Sequence, residues 1–217
     1  MKRNIAVILA GCGVFDGAEI HEAVLSLLAI ARQGAQYQVF APNREQAHVI
    51  NHFTGEVSNE SRNILVESAR IARGKIEPLD QIQIEKFDAI LFPGGFGVAK
   101  NLCSLAFDGP SCTVLPEVEQ VVQDAVKAGK PIGALCIAPA MMTKILAGAE
   151  VTIGNELSTI QAIEKMGGSH IEATHAQVVI DEQYKLVTTP CYMLDASIDQ
   201  IADGAENAVA ALLKLCQ

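Results

Sequence analysis

Short unbroken apolar runs alternate along the chain with stretches in which apolar residues recur every three or four positions. Asn4–Ala10 is a β-branched run closed by Gly11-Cys12-Gly13, the profile of a parallel strand covered on both faces. Ile20, Ala23, Val24, Leu27, Leu28 and Ala31 then keep helical spacing until Gly34, and Tyr37–Ala41 reads as a second strand. Pro42–Ser61 loses periodicity and is expected to be an irregular excursion and a candidate contact surface. Arg62–Arg73 is helical through Ile64, Leu65, Ala69 and Ala72, and Gly74 closes it. Ala89–Phe92 is a short buried strand leading into Pro93-Gly94-Gly95-Phe96-Gly97.

The second half repeats the alternation. Leu115, Val118, Val121, Val122, Ala125 and Val126 form a helical stripe, with Pro116 at its start and Gly129 after its end. A buried strand follows Lys130-Pro131, and the helix-compatible run Ala138–Leu146 comes almost directly after it. Glu150–Ile153 is expected as a strand, Val178–Ile180 pairs with Leu186–Thr188, and Ile198 to Leu213 carries the closing helix. Short buried strands alternating with amphipathic helices predict a three-layer α/β sandwich with a flavodoxin-like, mostly parallel sheet.

Composition narrows the role. With 217 residues, half of them apolar, and no linker-like tract, residues 1–217 are expected to fold as one domain. A formal charge of −9 without a basic run excludes nucleic acid or an acidic membrane surface as partner. The six cysteines, at 12, 103, 112, 136, 191 and 216, form no CxxC pair and no metal-ligand spacing with the five histidines, so reduced thiols, no metal and a cytoplasmic location are expected. Leu9-Ala10-Gly11-Cys12 has the letters of a lipoprotein cleavage box, but the apolar segment before it is too short for a signal region.

The candidate chemistry lies where strands end. Cys136 falls on a sharp strand-to-helix turn between Ala134 and Ala138, the spacing of a nucleophile elbow, where free helix-start amides such as that of Ile137 would favour the thiolate. A buried core cysteine has the same local pattern, and the pattern alone leaves both open. In a parallel sheet the carboxyl ends of the strands share one crevice, which would bring together Gly11-Cys12-Gly13, Gly94-Gly95 and Cys136. Backbone amides at Gly94, Gly95 and Ile137 would make an oxyanion hole there, unless the Gly-Gly turn is required only by its dihedrals.

Ile90-Leu91-Phe92-Pro93-Gly94-Gly95, Ala134-Leu135-Cys136-Ile137-Ala138-Pro139 and Gly17-Ala18-Glu19-Ile20-His21-Glu22 resemble the ThiJ/PfpI superfamily, with its class I glutamine amidotransferase-like fold. Within it the chain is similar to the ElbB family, whose members carry an isoprenoid-biosynthesis label. The resemblance implies that Cys136 is the nucleophile and Glu22, rather than Glu19, its companion acid, protonated beside a thiolate and shuttling a proton. It also implies a homodimer.

Two departures limit it: Ile137 stands where many members have His after the nucleophile, and His175-Ala176-Gln177 is no His-x-Glu pair, so a glutaminase is not expected. The implied activity is a cofactor-independent glyoxalase converting a small reactive aldehyde, glyoxal, to glycolate, or deglycase-like chemistry on glycation adducts. The alternative is a redox sensor acting through oxidation of Cys136, with Cys12 or Cys191 as secondary thiols.

Overall fold

The computed structural model describes residues 2–216. In chain order the elements are β1 (Asn4–Ile8), α1 (Ile20–Arg32), β2 (Gln36–Ala41), α2 (Ile64–Ile71), β3 (Ile76–Pro78), β4 (Ala89–Phe92), α3 (Leu105–Asp108), α4 (Pro116–Lys127), β5 (Ile132–Leu135), α5 (Ala138–Ile145), β6 (Glu150–Val151), α6 (Leu157–Lys165), β7 (Ser169–His170), β8 (Val179–Asp181), β9 (Leu186–Thr189) and α7 (Ile198–Leu215). Seven strands form one sheet in the order β3-β2-β1-β4-β5-β9-β8. Every pairing in it is parallel except β8 with β9.

Alternate residues of each strand feed opposite faces, which is why unbroken apolar runs suit buried parallel strands. Ala6, Ile8, Phe40, Ile90, Phe92 and Ile132 pack on one side with Val118, Val122 and Ala125 of α4 and with α5. Ile5, Val7, Val39, Leu91 and Val187 pack on the other with Ala23, Leu27 and Ile30 of α1 and Ile201, Ala205, Val209 and Leu212 of α7. The expected three-layer sandwich is therefore the observed one. From β1 the chain winds outward to β2 and β3 in one direction, then to β4 and β5 in the other. The switch point lies between β1 and β4, the position at which open parallel sheets hold their ligands beyond the strands' carboxyl ends.

Some elements differ from expectation. β1 stops at Ile8, not Ala10, because the chain leaves the ladder: Gly11 N–H donates to Ser68 Oγ (2.9 Å) and Ala10 O accepts from Asn101 Nδ2 (2.9 Å). The Glu150–Ile153 strand shrinks to β6, which pairs with β7 in a separate two-stranded sheet. Side chains of the main sheet take its amides instead: Asp181 Oδ2 accepts from Glu150 N and Thr188 Oγ1 from Thr152 N.

The chain also forms β3, a π-helical turn at Val98–Leu102 and helix α6, none of them signalled strongly by periodicity. α6 begins where Glu156 accepts hydrogen bonds from the amides of Ser158 and Thr159. The excursion 42–61 is irregular as expected, held by isolated bridges Glu45↔Asn63 and Ile50↔Val57. It is moored to the strand ends by Ile50 N–H on Asp16 Oδ2 (2.7 Å) and Ala47 N–H on Asn101 Oδ1 (2.9 Å).

Among the described residues no helix is long and apolar enough to cross a membrane.

Candidate functional site

Cys136 leaves β5 with φ +61°, a left-handed conformation costly to a residue with a Cβ and kept only where the surroundings impose it. Its N–H is fastened to Thr189 O of β9 (3.0 Å), and α5 begins two residues later with Pro139 in its first turn. Ala134 and Ala138 on either side are fully buried, so the elbow has no space for larger side chains. This is the nucleophile-elbow geometry, and the plain core-cysteine alternative does not account for the strain.

Glu22 reaches the sulfur from the first turn of α1 and is completely buried. Its carboxylate accepts two bonds, from Gly94 N (2.9 Å) on Oε2 and from Tyr192 N (3.1 Å) on Oε1, and Oε2 lies beside the Cys136 sulfur, since a Cβ on Gly94 would meet both. Glu19 has a different task. It is the N-cap of α1 and accepts from Glu22 N (2.7 Å), and it is itself buried.

Gly94 is obligatory, since a Cβ there would lie 2.3 Å from Cys136 Cβ and 2.6 Å from Glu22 Oε2. Its expected place in the oxyanion hole is corrected: the Gly94 N–H is already bound to Glu22. The amides of Gly95, at φ +100°, and of Ile137 are the two that face the Cys136 sulfur.

Burial dominates the protonation of this pair. It raises the Glu22 carboxyl from an ordinary 4.5 to about 7, reinforced by the charge of Glu19 and opposed by the amide of Tyr192, the Cys136 thiol and the amide of Gly94. Burial first, and the Glu22 charge second, push the Cys136 thiol well up, against the pull of the Gly95 and Ile137 amides. Both shifts favour the protonated forms, so the proton stays on the sulfur while the Glu22 carboxyl, held at about 7, is poised between its two states near neutral pH. The expected resting thiolate is thereby overturned, because helix-start amides are outweighed by desolvation and an adjacent carboxylate, whereas the raised Glu22 carboxyl agrees with the expected tendency to hold a proton.

The secondary thiols part company. Cys191, fully buried at φ +45°, lies close enough for Glu22 and Cys136 to act on its thiol. Cys12 does not converge with them; its electrostatic neighbours are Glu67, Arg70 and Asp16, on the α2 side. All six cysteines are free.

Sequence reasoning missed Tyr192, which acts through its backbone N–H. The available signal was Thr189-Pro190-Cys191-Tyr192, a turn at the carboxyl end of a parallel strand on the same sheet edge. The phenol of Tyr192 hydrogen-bonds His21 Nδ1 (2.9 Å), so His21 is turned away from the sulfur despite adjoining Glu22 in sequence. Among the described residues no group of three or more His, Cys, Asp or Glu could hold a metal ion.

Only 6% of Cys136 is exposed, and a cavity of about 350 Å³ is lined by Phe96 and Ile137, the residues directly after Gly95 and Cys136, but not by Cys136 or Glu22 themselves. Leu105, Ala106, Gly109 and Pro110 also line it.

A three-layer sandwich with a strained cysteine after a central parallel strand, met by a buried glutamate from the first helix, defines a class of elbow-cysteine α/β proteins. The chain belongs to the DJ-1/PfpI family, whose model matches residues 10–199. It is 46% identical over 222 residues to the human "Glutamine amidotransferase-like class 1 domain-containing protein 3, mitochondrial", covering 98% of this chain and 83% of that protein. It is 35% identical to the Danio rerio "ES1 protein, mitochondrial", covering 98% and 86%. A crystal structure of an isoprenoid biosynthesis protein with amidotransferase-like domain from Ehrlichia chaffeensis superposes with a TM-score of 0.93 at 40% identity, covering 99% of this chain and 100% of that one. These relatives overturn the expected cytoplasmic location: the curated ones are named mitochondrial, and the reduced thiols on which the expectation rested do not distinguish one reducing compartment from another.

Proposed function

We propose that the chain is a cofactor-independent, cysteine-dependent glyoxalase that converts glyoxal to glycolate. The observation that carries the reading is the juxtaposition of the buried Glu22 carboxyl and the Cys136 sulfur against Gly94, with the Gly95 and Ile137 amides acting on the same sulfur. As Cys136 sulfur attacks one aldehyde carbon, its proton passes to the Glu22 carboxylate, and the new alkoxide is met by the two amides. The proton returned to this oxygen gives a neutral hemithioacetal.

Glu22 then takes the hydrogen from the carbon bonded to sulfur as a proton and delivers it to the neighbouring carbon, while the hydroxyl proton of the hemithioacetal passes to the neighbouring oxygen. One carbon is oxidised to a thioester and the other reduced to an alcohol, so no external oxidant is required. Water splits the thioester, releasing glycolate and the free thiol. A carboxyl with a value of about 7 is suited to accept and return protons near neutral pH. The small exposure of Cys136 fits a substrate as slender as a dialdehyde.

The redox-sensor alternative is less well supported, because a thiol pushed up by burial is a poor nucleophile toward peroxide. Glutaminase chemistry is disfavoured too, since the acid beside the sulfur is Glu22 and its neighbour His21 is bound to Tyr192. The test is glycolate formation from glyoxal by wild type, Cys136→Ala and Glu22→Gln. Turnover is expected to disappear in Cys136→Ala and to fall by about 10²-fold or more in Glu22→Gln, the range for losing a positioned proton carrier. Undiminished turnover in Cys136→Ala would end the proposal.

A further inference from the structure

Glu22 is held from two sides, and one of its holders is itself tied down at the surface. The turn after β4 gives the Gly94 N–H to Oε2, the oxygen beside the Cys136 sulfur. A single helical turn after β9, Cys191–Met193, gives the Tyr192 N–H to Oε1 (3.1 Å). The last torsion of a glutamate side chain is soft, so the carboxyl keeps one orientation only while both oxygens are engaged. The Tyr192 amide therefore helps to decide which oxygen faces the sulfur.

The turn that carries this amide is not self-sufficient. It opens on Cys191 at φ +45°, a left-handed conformation that a residue with a Cβ keeps only where its surroundings impose it. Its own bonds are two, Met193 N–H to Pro190 O (3.0 Å) and Leu194 N–H to Cys191 O (3.2 Å). The Tyr192 side chain then runs back to α1, where the phenol hydrogen-bonds His21 Nδ1 (2.9 Å), with the two rings 5.9 Å apart and tilted by 47°. His21 and Glu22 are consecutive residues in the first turn of α1, so the phenol and the amide of one residue engage two adjacent side chains of the helix.

We propose that His21 is a positioning residue: its bond to the Tyr192 phenol latches the 190–194 turn onto α1 and so keeps the Tyr192 amide on Glu22 while the proton moves. The role rests on the reading of Cys136 and Glu22 as the reacting pair.

The latch has an electrostatic consequence as well as a geometric one. Burial raises the Glu22 carboxyl to about 7, and the Tyr192 amide is the largest influence opposing that rise, since an N–H donated to a carboxylate favours its charged form. The other groups acting on Glu22 are the Glu19 charge, the Cys136 thiol and the Gly94 amide, which come from the α1 N-cap, the elbow and the turn after β4. The nearby Cys191 thiol is pushed well up by burial and stays protonated. With the latch cut, the amide leaves Glu22 part of the time and the carboxyl keeps its proton to higher pH.

The test follows the Glu22 carboxyl by carbon-13 NMR in glutamate-labelled protein, its signal identified by its absence in Glu22→Gln. In His21→Ala and in Tyr192→Phe the Glu22 midpoint should move up by about half a pH unit, a threefold change in the ratio of acid to carboxylate, the scale of one exposed hydrogen bond. The double variant should move no further, because both substitutions remove the same bond. His21→Asn, whose Oδ1 stands where Nδ1 stood and does not titrate, should return the midpoint to the wild-type value. The pH of half-maximal glyoxal turnover should follow the NMR midpoint. An unmoved midpoint in His21→Ala and Tyr192→Phe, even with lower thermal stability, would overturn the proposal. So would shifts that add in the double variant, or a shift in His21→Asn as large as in His21→Ala, which would assign the effect to charge on the ring. Midpoints that shift as expected in a protein without glyoxal turnover would end the glyoxalase reading and leave the latch standing.

Discussion

Replacing Glu22 with Gln removes a titration while nearly preserving volume, and the structure sets what should follow. In the wild type the carboxyl is held at about 7 instead of an ordinary 4.5, so folding favours its protonated form. A carboxyl raised on folding contributes fully below the unfolded value, and that contribution is lost as pH rises through the folded one. At about 1.4 kcal/mol per pH unit, the interval from 4.5 to 7 amounts to about 3 kcal/mol lost by the wild type on going to pH 8. The variant has no such loss.

It has instead a pH-independent penalty. Both Glu22 oxygens accept backbone amides, from Gly94 and Tyr192, but a carboxamide accepts with only one end and confronts the other amide with its own N–H groups. Leaving that buried donor unpaired costs about 1–3 kcal/mol at every pH. Urea denaturation of both proteins from pH 4.5 to 8 isolates the first effect. The stability of Glu22→Gln relative to wild type should rise by about 3 kcal/mol across the range, whatever its starting offset. A constant difference would show that Glu22 ionises as an ordinary carboxylate, and its use as a proton carrier near neutrality would fail with it.

Further predictions test the frame around this pair. Gly94→Ala places a Cβ against Cys136 Cβ and Glu22 Oε2, so glyoxal turnover should fall by about 10²-fold or more as the reacting groups are displaced, checked by kinetics alongside circular dichroism. Asn101→Ala strips the partners of Ala10 O, Asp16 O and Ala47 N at once; at about 1 kcal/mol each, denaturant unfolding should show a loss of about 3 kcal/mol, and a loss under 1 would refute its mooring role. Glu156→Ala removes the α6 cap and should cost about 1 kcal/mol at pH 7 in the same assay. Because the Glu156 carboxyl is held down at about 2, chiefly by hydrogen bonding with Thr159, this difference should be complete above the ordinary 4.5 and fade as pH falls toward 2.

Much of this was legible before any coordinates. Strand runs such as Ala89–Phe92 and the stripe from Val118 to Ala125 declared themselves by period, because burial on two faces and on one face leave different marks on a sequence. The small residues around Cys136 allowed the elbow, and its left-handed φ of +61° decided it against a plain core cysteine. What escaped were elements whose cause is not periodic: the amides of Glu150 in β6 and of Thr152 just after it go to side chains of β8 and β9, and α6 starts on a single capping glutamate.

The chain's own order of residues determined the strand-helix alternation, the strained turn at Cys136 and the glycines that let backbone crowd against it, since these depend on local sterics and spacing. Only the tertiary structure decided that the Gly94 amide is spent on Glu22, that Cys191 and not Cys12 approaches the pair, that Tyr192 completes the carboxylate's shell, and that the proton rests on sulfur. Those outcomes rest on which groups are removed from water together, and desolvation is a property of the assembled fold that no single segment carries.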